Sequence, residues 1–372
     1  MASQFARVRF SFFAFTLMVW TTSGFGQAPK LLKESAEPAS FVAVSPDGKT
    51  IAYTNADNII RLWDVKTGMV TRKIKVTSLP LPPQFNKRVT CIIFSPDGKT
   101  LAASSIGVSA RPSEKAGELG QIGMESLIEI WDTKTGTLIR TPFRSFDKSN
   151  DLEDWVKSLA FSPDGKFLAS CGYSKFVKVR VVKSGKEIQT LNGDSEGFGS
   201  VVFSPDGKTL AASGGPEKSV LWDLNTGKQL WSHKNNGDGP CLIAFSPNGD
   251  IFSMADSEGI HIYDAKTRNE SQLIKNVEDH MFFCVAFGPK GRTMVSCEIT
   301  GADADDYGLI KLWKINRGQI AKTREFRVQY YLLSATFFLD GQTLLSNSSL
   351  YSEPTKFRLW DLRSIKLAKK PK

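Results

Sequence analysis

The chain has 372 residues, 41% of them hydrophobic, with 48 Lys and Arg against 38 Asp and Glu and a formal net charge of +10. That apolar fraction is ordinary for a globular chain, and no stretch after residue 26 is long enough to cross a bilayer, which excludes a membrane-spanning helix there. The positive balance raises a nucleic-acid partner, but no Lys/Arg cluster is interleaved with aromatics, so the charge reads as a basic surface favouring solubility or weak adhesion to anionic polymers.

In chain order, the first 26 residues differ in kind from the rest. Arg7 and Arg9 precede an apolar stretch from Phe10 to Trp20, and Gly24 and Gly26 occupy small positions ahead of a cut before Gln27. Such a stretch is too short to span by itself and reads as a signal peptide, with an uncleaved anchor as the other reading. The expectation is an exported protein, periplasmic or secreted, that stays basic after its leader is removed.

From residue 41 onward one pattern recurs seven times: an apolar run, a tight turn, a second apolar run, and an aliphatic strand ending in or near Trp-Asp. The turns begin at Ser45, Ser95, Ser162 and Ser204 as Ser-Pro-Asp-Gly, and continue in looser form at Ser246, Gly288 and Phe338. Pro presets φ at the first corner, Asp bonds backbone groups ahead of it, and Gly accepts the positive φ that closes a hairpin. The flanks, such as Val89 to Phe94 and Leu101 to Ala103, are short and apolar like buried strands. The closing signatures are Leu62-Trp63-Asp64, Ile130-Trp131-Asp132, Arg180-Val181-Val182, Leu221-Trp222-Asp223, Ile262-Tyr263-Asp264, Leu312-Trp313-Lys314 and Leu359-Trp360-Asp361. Several run into Thr-Gly, at Thr67-Gly68, Thr135-Gly136 and Thr226-Gly227, a second tight turn.

On these residues the chain resembles the WD-repeat family from about Leu31 to Leu362, and the spacing of about 42 residues between four of the copies fits four strands per blade. The resemblance implies an all-β, seven-bladed β-propeller of four-stranded antiparallel blades, with strands a to d running from the inside out. The Gly-His pair usual before strand a is missing almost everywhere, with only Asp279-His280 approximating it. The regularity of the turns resembles bacterial members of the family. Three segments follow: a leader over 1–26, a propeller over 27–363 and a basic tail over 364–372. The seventh unit spends its c strand at Phe357 to Leu362, so its outermost strand must come from elsewhere. Lys30 to Glu34 is the expected ring-closing strand, and the tail from Ile365 to Lys372 is its rival.

Five cysteines in an exported chain raise a disulfide. Cys284 and Cys297 flank the Gly288 hairpin: if Phe287 faces Met294 the thiols are opposed, and if the turn carries a bulge Cys284 faces Ser296 instead. The other reading makes all five free thiols in small buried strand positions.

In an antiparallel meander the a–b and c–d turns share one face, and the b–c and d–a loops share the other. The a–b turns are nearly uniform. The distance from turn Asp to closing residue is similar in blades 1, 3, 4 and 5, but Asp97 to Asp132 in blade 2 is about twice Asp47 to Asp64, and blades 6 and 7 are also extended. The connections from blade 1 to 2 and from 2 to 3 are long as well, so the excess falls on one face over blades 6, 7, 1, 2 and 3. Lengthening a loop costs little, about 0.6 kcal/mol per doubling, so the shared face is the signal. Its contents suit a binding rim: Leu81 and Phe85 in a Pro-rich stretch, Arg111 in the blade 2 insertion, Phe143, Arg144 and Phe146 beyond it, and Tyr307 in the loop Gly301 to Gly308. The same residues could instead fold back onto the rim. Trp155 reads as packing, and the three carboxylates near Tyr307 as a solvated loop, since calcium needs more oxygen ligands.

Hydrolase, zinc-protease, redox Cys and phosphate-loop motifs are absent from the sequence. His233, His261 and His280 fall in separate blades, so a histidine cluster would require convergence on the central channel. Asp223 to Trp231 resembles a tryptophan-docking motif of quinoprotein propellers but occurs once, and Trp231 reads as a buried residue of an outer strand. The sequence therefore points to a monomeric, non-enzymatic platform without a cofactor, binding a protein or an anionic cell-surface polymer through the b–c and d–a face. The alternative is a ligand-binding or catalytic propeller with a small molecule or metal at the central channel. In a eukaryotic source Asn269 and Asn347 become glycosylation candidates.

Overall fold

A computed structural model describes residues 29–364 except 56, 77–87, 111–121, 140–142, 145–152, 194–196, 215–217, 237–241, 277–279, 301–307, 317, 329–330 and 351–352. These residues form seven sheets whose a strands neighbour one another in sequence order, the arrangement of a seven-bladed β-propeller. Blade 4 is representative, with strands Ser200–Phe203, Thr209–Gly214, Lys218–Asp223 and Gln229–His233 in antiparallel order.

The repeated residues explain the repeated shape. In the first turn Ser45 Oγ donates to Asp47 Oδ1 at 2.6 Å, Lys49 N–H donates to the same oxygen at 3.0 Å, and Gly48 sits at φ 69°. The same bonds recur at Ser95, Ser162 and Ser204. The Asp of the closing signature acts elsewhere. Asp64 Oδ1 accepts the Thr67 N–H at 2.6 Å and so holds the c–d turn, as Asp132, Asp223 and Asp264 do. The signature Trp fills the gap between blades. Trp222, 1% exposed, packs among residues of blades 3 and 4, while Trp63 meets Phe357 of blade 7 edge-on. The core is thus a set of inter-blade seams, and each blade depends on its neighbours for burial.

The ring closes where the sequence places it. Lys30–Glu34 pairs antiparallel with Glu353–Asp361, setting Leu31 opposite Trp360 and Glu34 opposite Arg358. The closing strand is held by ions as well as by its ladder: Glu34 binds Arg358 Nε at 2.6 Å and Lys356 Nζ at 2.9 Å. Lys33 Nζ reaches forward to the Val65 and Lys66 carbonyls, clasping blade 7 to blade 1. Arg72 makes the same kind of clasp from blade 1 to the Lys134 and Thr135 carbonyls of blade 2.

Three features differ from the sequence reading, at blade 2, blade 3 and Asn347, and the cysteine alternatives it left open are resolved. Blade 2 is not a plain four-stranded antiparallel sheet: Phe143–Arg144 pairs antiparallel with its c strand, Leu138 bridges Trp131, and Glu153–Asp154 pairs in parallel with Met124 and Glu125. The long connection to blade 3 therefore laces along the edge of an eleven-residue c strand, Ile122–Asp132. In blade 3 the Trp position belongs to Arg180, opposite Leu168, and not to Val181. The turn sets that register, since Gly185 N–H donates to the Val181 carbonyl as Gly68 does to Asp64. Cys284 lies opposite Cys297 in the register with Phe287 facing Met294, and both are free thiols. Asn347 is buried and its Nδ2 donates to the Ser40 carbonyl at 3.0 Å, which leaves no amide for a glycan.

Candidate functional site

The two ends of the meander separate as expected. On one face the c–d turn of blade 1 meets its a–b turn through Val65 N–H and the Lys49 carbonyl, 2.9 Å. On the other, the b–c loop of blade 5 meets the connection from blade 4 through Asn236 N–H and Asp256 Oδ2, also 2.9 Å.

On this second face part of the extra length of three blades, as far as the described residues reach, is built as strand. The b and c strands of blade 2, Thr100–Ala110 and Ile122–Asp132, have eleven residues each, paired through to Ala110 and Ile122. Their counterparts in blade 4 have six. At about 3.4 Å per residue the blade 2 hairpin extends about 17 Å further. Blades 6 and 7 are longer as well, with b strands of eight residues and c strands of nine.

Of the residues singled out for a binding rim, Leu81, Phe85, Arg111, Phe146 and Tyr307 lie outside the described residues. The backbones of Phe143 and Arg144 pair with Ile128 and Leu127, on the outer edge of blade 2. Trp155 packs edge-on against Tyr173, with centroids 5.3 Å apart. That Tyr173 ring is 42% exposed and carries Lys157 Nζ 3.7 Å from its centroid.

A buried polar network on the same side escaped the sequence reading. Two residues before the residue in the Trp position, each blade but the fourth carries an ionisable side chain: Arg61, Glu129, Lys178, His261, Lys311 and Arg358, all buried, with Val220 in blade 4. Buried charge needs a counterion. Arg61 has Glu37 at 2.6 Å and Asp57 at 2.5 Å, Lys311 has Glu298 at 2.5 Å, and Arg358 has Glu34.

In blade 5 this position opens into a larger cluster. His261, on strand c (Gly259–Asp264), has Nε2 3.3 Å from Asp256 Oδ1 and Nδ1 3.1 Å from Glu270 Oε2. His233 arrives from the end of blade 4 strand d, its ring 4.9 Å from that of His261. Its Nδ1 lies 3.0 Å from the Tyr263 hydroxyl, which donates to Glu270 Oε2 at 3.4 Å. Its Nε2 is buried, 3.9 Å from Asp256 Oδ2, with no hydrogen-bond partner among the described residues. Asp256 is fixed by the N–H groups of Asn236 and Glu258, 2.9 Å each.

Burial alone would lower the basicity of His261, but Asp256 and Glu270 outweigh it and hold the imidazole above its ordinary range. His233, desolvated and beside His261, is held below that range. The two histidines converge between blades 4 and 5 rather than on the channel. The sequence reading treated each blade as a separate compartment, whereas the d strand of one blade packs on the c strand of the next. Trp231, half-buried on the same d strand, lies in that seam and meets Phe252 and Tyr263 edge-on.

Residues 31–64, 78–107, 141–180 and 185–223 match the family model of the WD domain, G-beta repeat. Among curated proteins the chain is 29% identical over 171 residues to human "Telomerase Cajal body protein 1", covering 43% of this chain and 29% of that protein. It is 29% identical over 145 residues to "Meiotic recombination protein rec14" of Schizosaccharomyces pombe, covering 39% of this chain and 37% of that one. To "Nuclear distribution protein nudF" of Aspergillus niger it is 26% identical over 181 residues, covering 48% of this chain and 37% of the relative. The chain thus spans about a third of the length of these relatives.

Two solved structures share the fold. A chain of the mitotic checkpoint complex aligns with a TM-score of 0.67 at 15% identity, covering 94% of this chain and 99% of that one. U3-55K aligns at 0.68 and 17%, covering 90% and 98%.

These relatives correct the expectation of an exported, periplasmic protein of bacterial type. They are eukaryotic proteins whose names refer to the Cajal body, nuclear distribution and meiotic recombination, which points away from export. The two signals behind that expectation are local ones, and the first, over 1–26, lies outside the described residues. A short apolar run behind two arginines is a composition that many segments share. Ser-Pro-Asp-Gly is selected by the hydrogen bonds of the turn, whatever the source of the chain.

Proposed function

Because the chain is a WD-repeat β-propeller, we propose that it acts as a non-enzymatic protein-binding scaffold, engaging its partner through the b–c and d–a face at the corner of blades 2 and 3. One observation carries this reading: the blade 2 ladder runs on through Ala110 and Ile122, beyond the length of the blade 4 strands, and Glu153–Asp154 pairs along the edge of that extension, which supports a rigid projection from the ring. A rigid projection binds with little ordering cost, and an outer strand edge with aromatic and Arg residues nearby suits a protein surface. The residues assigned to contact at this corner are Leu81, Phe85, Arg111, Phe143, Arg144 and Phe146, and Tyr307 is assigned to the same face at blade 6.

The register supplies the test. Gly107 faces Glu125, so residues 108–124 can be replaced by a two-residue Asn-Gly turn joining that pair. The shortened protein should melt like the parent yet lose its crosslinked partners in the native compartment, as read by mass spectrometry. Undiminished partner yields, or crosslinks confined to blades 4 and 5 or to the Ser-Pro-Asp-Gly face, would sink the assignment.

A further inference from the structure

We propose that His233, Asp256 and His261 form a binding site for one zinc-type divalent cation, clipping blade 4 to blade 5. The three side chains offer ligand atoms that all lie within 4.8 Å of one another. Zn–N and Zn–O bonds of about 2.0–2.2 Å at tetrahedral angles separate ligand atoms by about 3.4 Å. The Asp256 Oδ1 to His261 Nε2 distance of 3.3 Å already meets that spacing. Only His233 must close in: its Nε2 lies 3.9 Å from the other carboxylate oxygen, Oδ2, and within 4.8 Å of the remaining ligand atoms, and it belongs to the one ligand whose side chain keeps some freedom, 23% exposed against 0% and 3%.

The surroundings are those of a metal site. Each imidazole has its Nδ1 engaged, His261 by Glu270 and His233 by Tyr263, which turns both Nε2 atoms toward the Asp256 carboxylate. Asp256 is itself oriented by two backbone N–H groups. The charge balance agrees: two neutral imidazoles, the Asp256 and Glu270 carboxylates and one divalent cation sum to zero, whereas a single imidazolium leaves the pocket one unit negative. Two nitrogens and a carboxylate suit zinc better than calcium or magnesium, with water completing a four-coordinate ion.

The test uses the full chain, stripped with a chelator and dialysed against Zn²⁺ with metal analysis, and in parallel titrated with Co²⁺ to record the visible bands of a low-symmetry site. One equivalent per chain and a metal-dependent rise in melting temperature are expected. His233→Gln should weaken binding at least tenfold and abolish the Co²⁺ bands; Glu270→Gln, which disturbs orientation only, should weaken it about 10- to 100-fold. His233 Nε2 has no hydrogen-bond partner among the described residues, so the metal-free variant should fold. If it does not, Tyr263→Phe reads the same site through loss of His233 orientation, with an expected loss of about tenfold. Absence of stoichiometric binding at 10-fold excess metal, or unchanged affinity in the variants, overturns the site and identifies a metal-independent imidazolium bridge instead.

Discussion

Replacing Glu34 with Gln keeps the shape of the ring-closing strand and removes only its charge, so it isolates what the ion pairs contribute to closure. Arg358 is 4% exposed at its side chain and Glu34 is 30% exposed, with 2.6 Å between Nε and Oε2. Deleting one partner of a fully buried pair costs about 3–5 kcal/mol. Water reaches this pair, and Gln retains an acceptor, so the expected loss is smaller, about 2 kcal/mol. With an unfolding entropy of about 2.1 cal/mol/K per residue, a propeller of this size should melt about 3 °C lower. The pH dependence has a definite sign. Burial would raise the Glu34 carboxyl, but Lys356 and Arg358 outweigh it and hold it below its ordinary value. The stabilisation is therefore fully present above the unfolded carboxylate pKa and disappears as pH falls through the lower, folded value. Melting of parent and variant followed by circular dichroism should show the full gap at pH 7, a gap that starts to shrink only below the ordinary Glu range of about 4.3, and none once the folded carboxyl is itself protonated. Equal melting temperatures at pH 7, or a gap that survives in acid, would refute the reasoning.

Removing the closing strand altogether, in a chain shortened to begin at Ser40, should abolish cooperative unfolding, and a single sharp calorimetric transition would contradict the closure. Trp222→Ala empties the seam between blades 3 and 4 and should cost about 3–5 kcal/mol in urea denaturation; a loss below about 1 kcal/mol would mean that the seam collapses around the gap. Burial pushes the Cys91 thiol up to about 11 and raises Cys171 and Cys297 as well. Alkylation at pH 8 should therefore leave the buried Cys171 and Cys297 unlabelled and the half-buried Cys91 slow to label in the native protein, with full labelling of all three in denaturant, and rapid native labelling of Cys171 or Cys297 would argue against their placement.

What was legible in the sequence was whatever repeats. Pro-Asp-Gly turns, the Asp of the c–d turns at Asp64, Asp132, Asp223 and Asp264, and the closing strand follow from hydrogen bonds made within a few residues or from counting strands. Blade 3 shows the limit: without a Trp the signature lost its landmark, and only the Lys183-Ser184-Gly185 turn could have set the register at Arg180. The buried ionisable position is present in the sequence as Arg61, Lys311 and Arg358, but a polar residue in a strand pattern ordinarily faces water, so pattern alone does not mark it as buried. His233 and His261 were beyond local reading. Their meeting depends on how two blades pack, and no spacing within either repeat encodes it.

The pairing of Lys30–Glu34 with the last blade also bears on how the protein is made. Glu34 and Lys356 are 322 residues apart, so at about 5–20 residues per second the first strand leaves the ribosome roughly 15–60 s before its partner exists. During that interval it is an unpaired edge, and Lys30, Lys33 and Glu34 are the kind of side chains that discourage another strand from adding to it. Closure is a race between one late intramolecular partner and any earlier intermolecular one, and the charges of the strand bias that race as well as the final equilibrium.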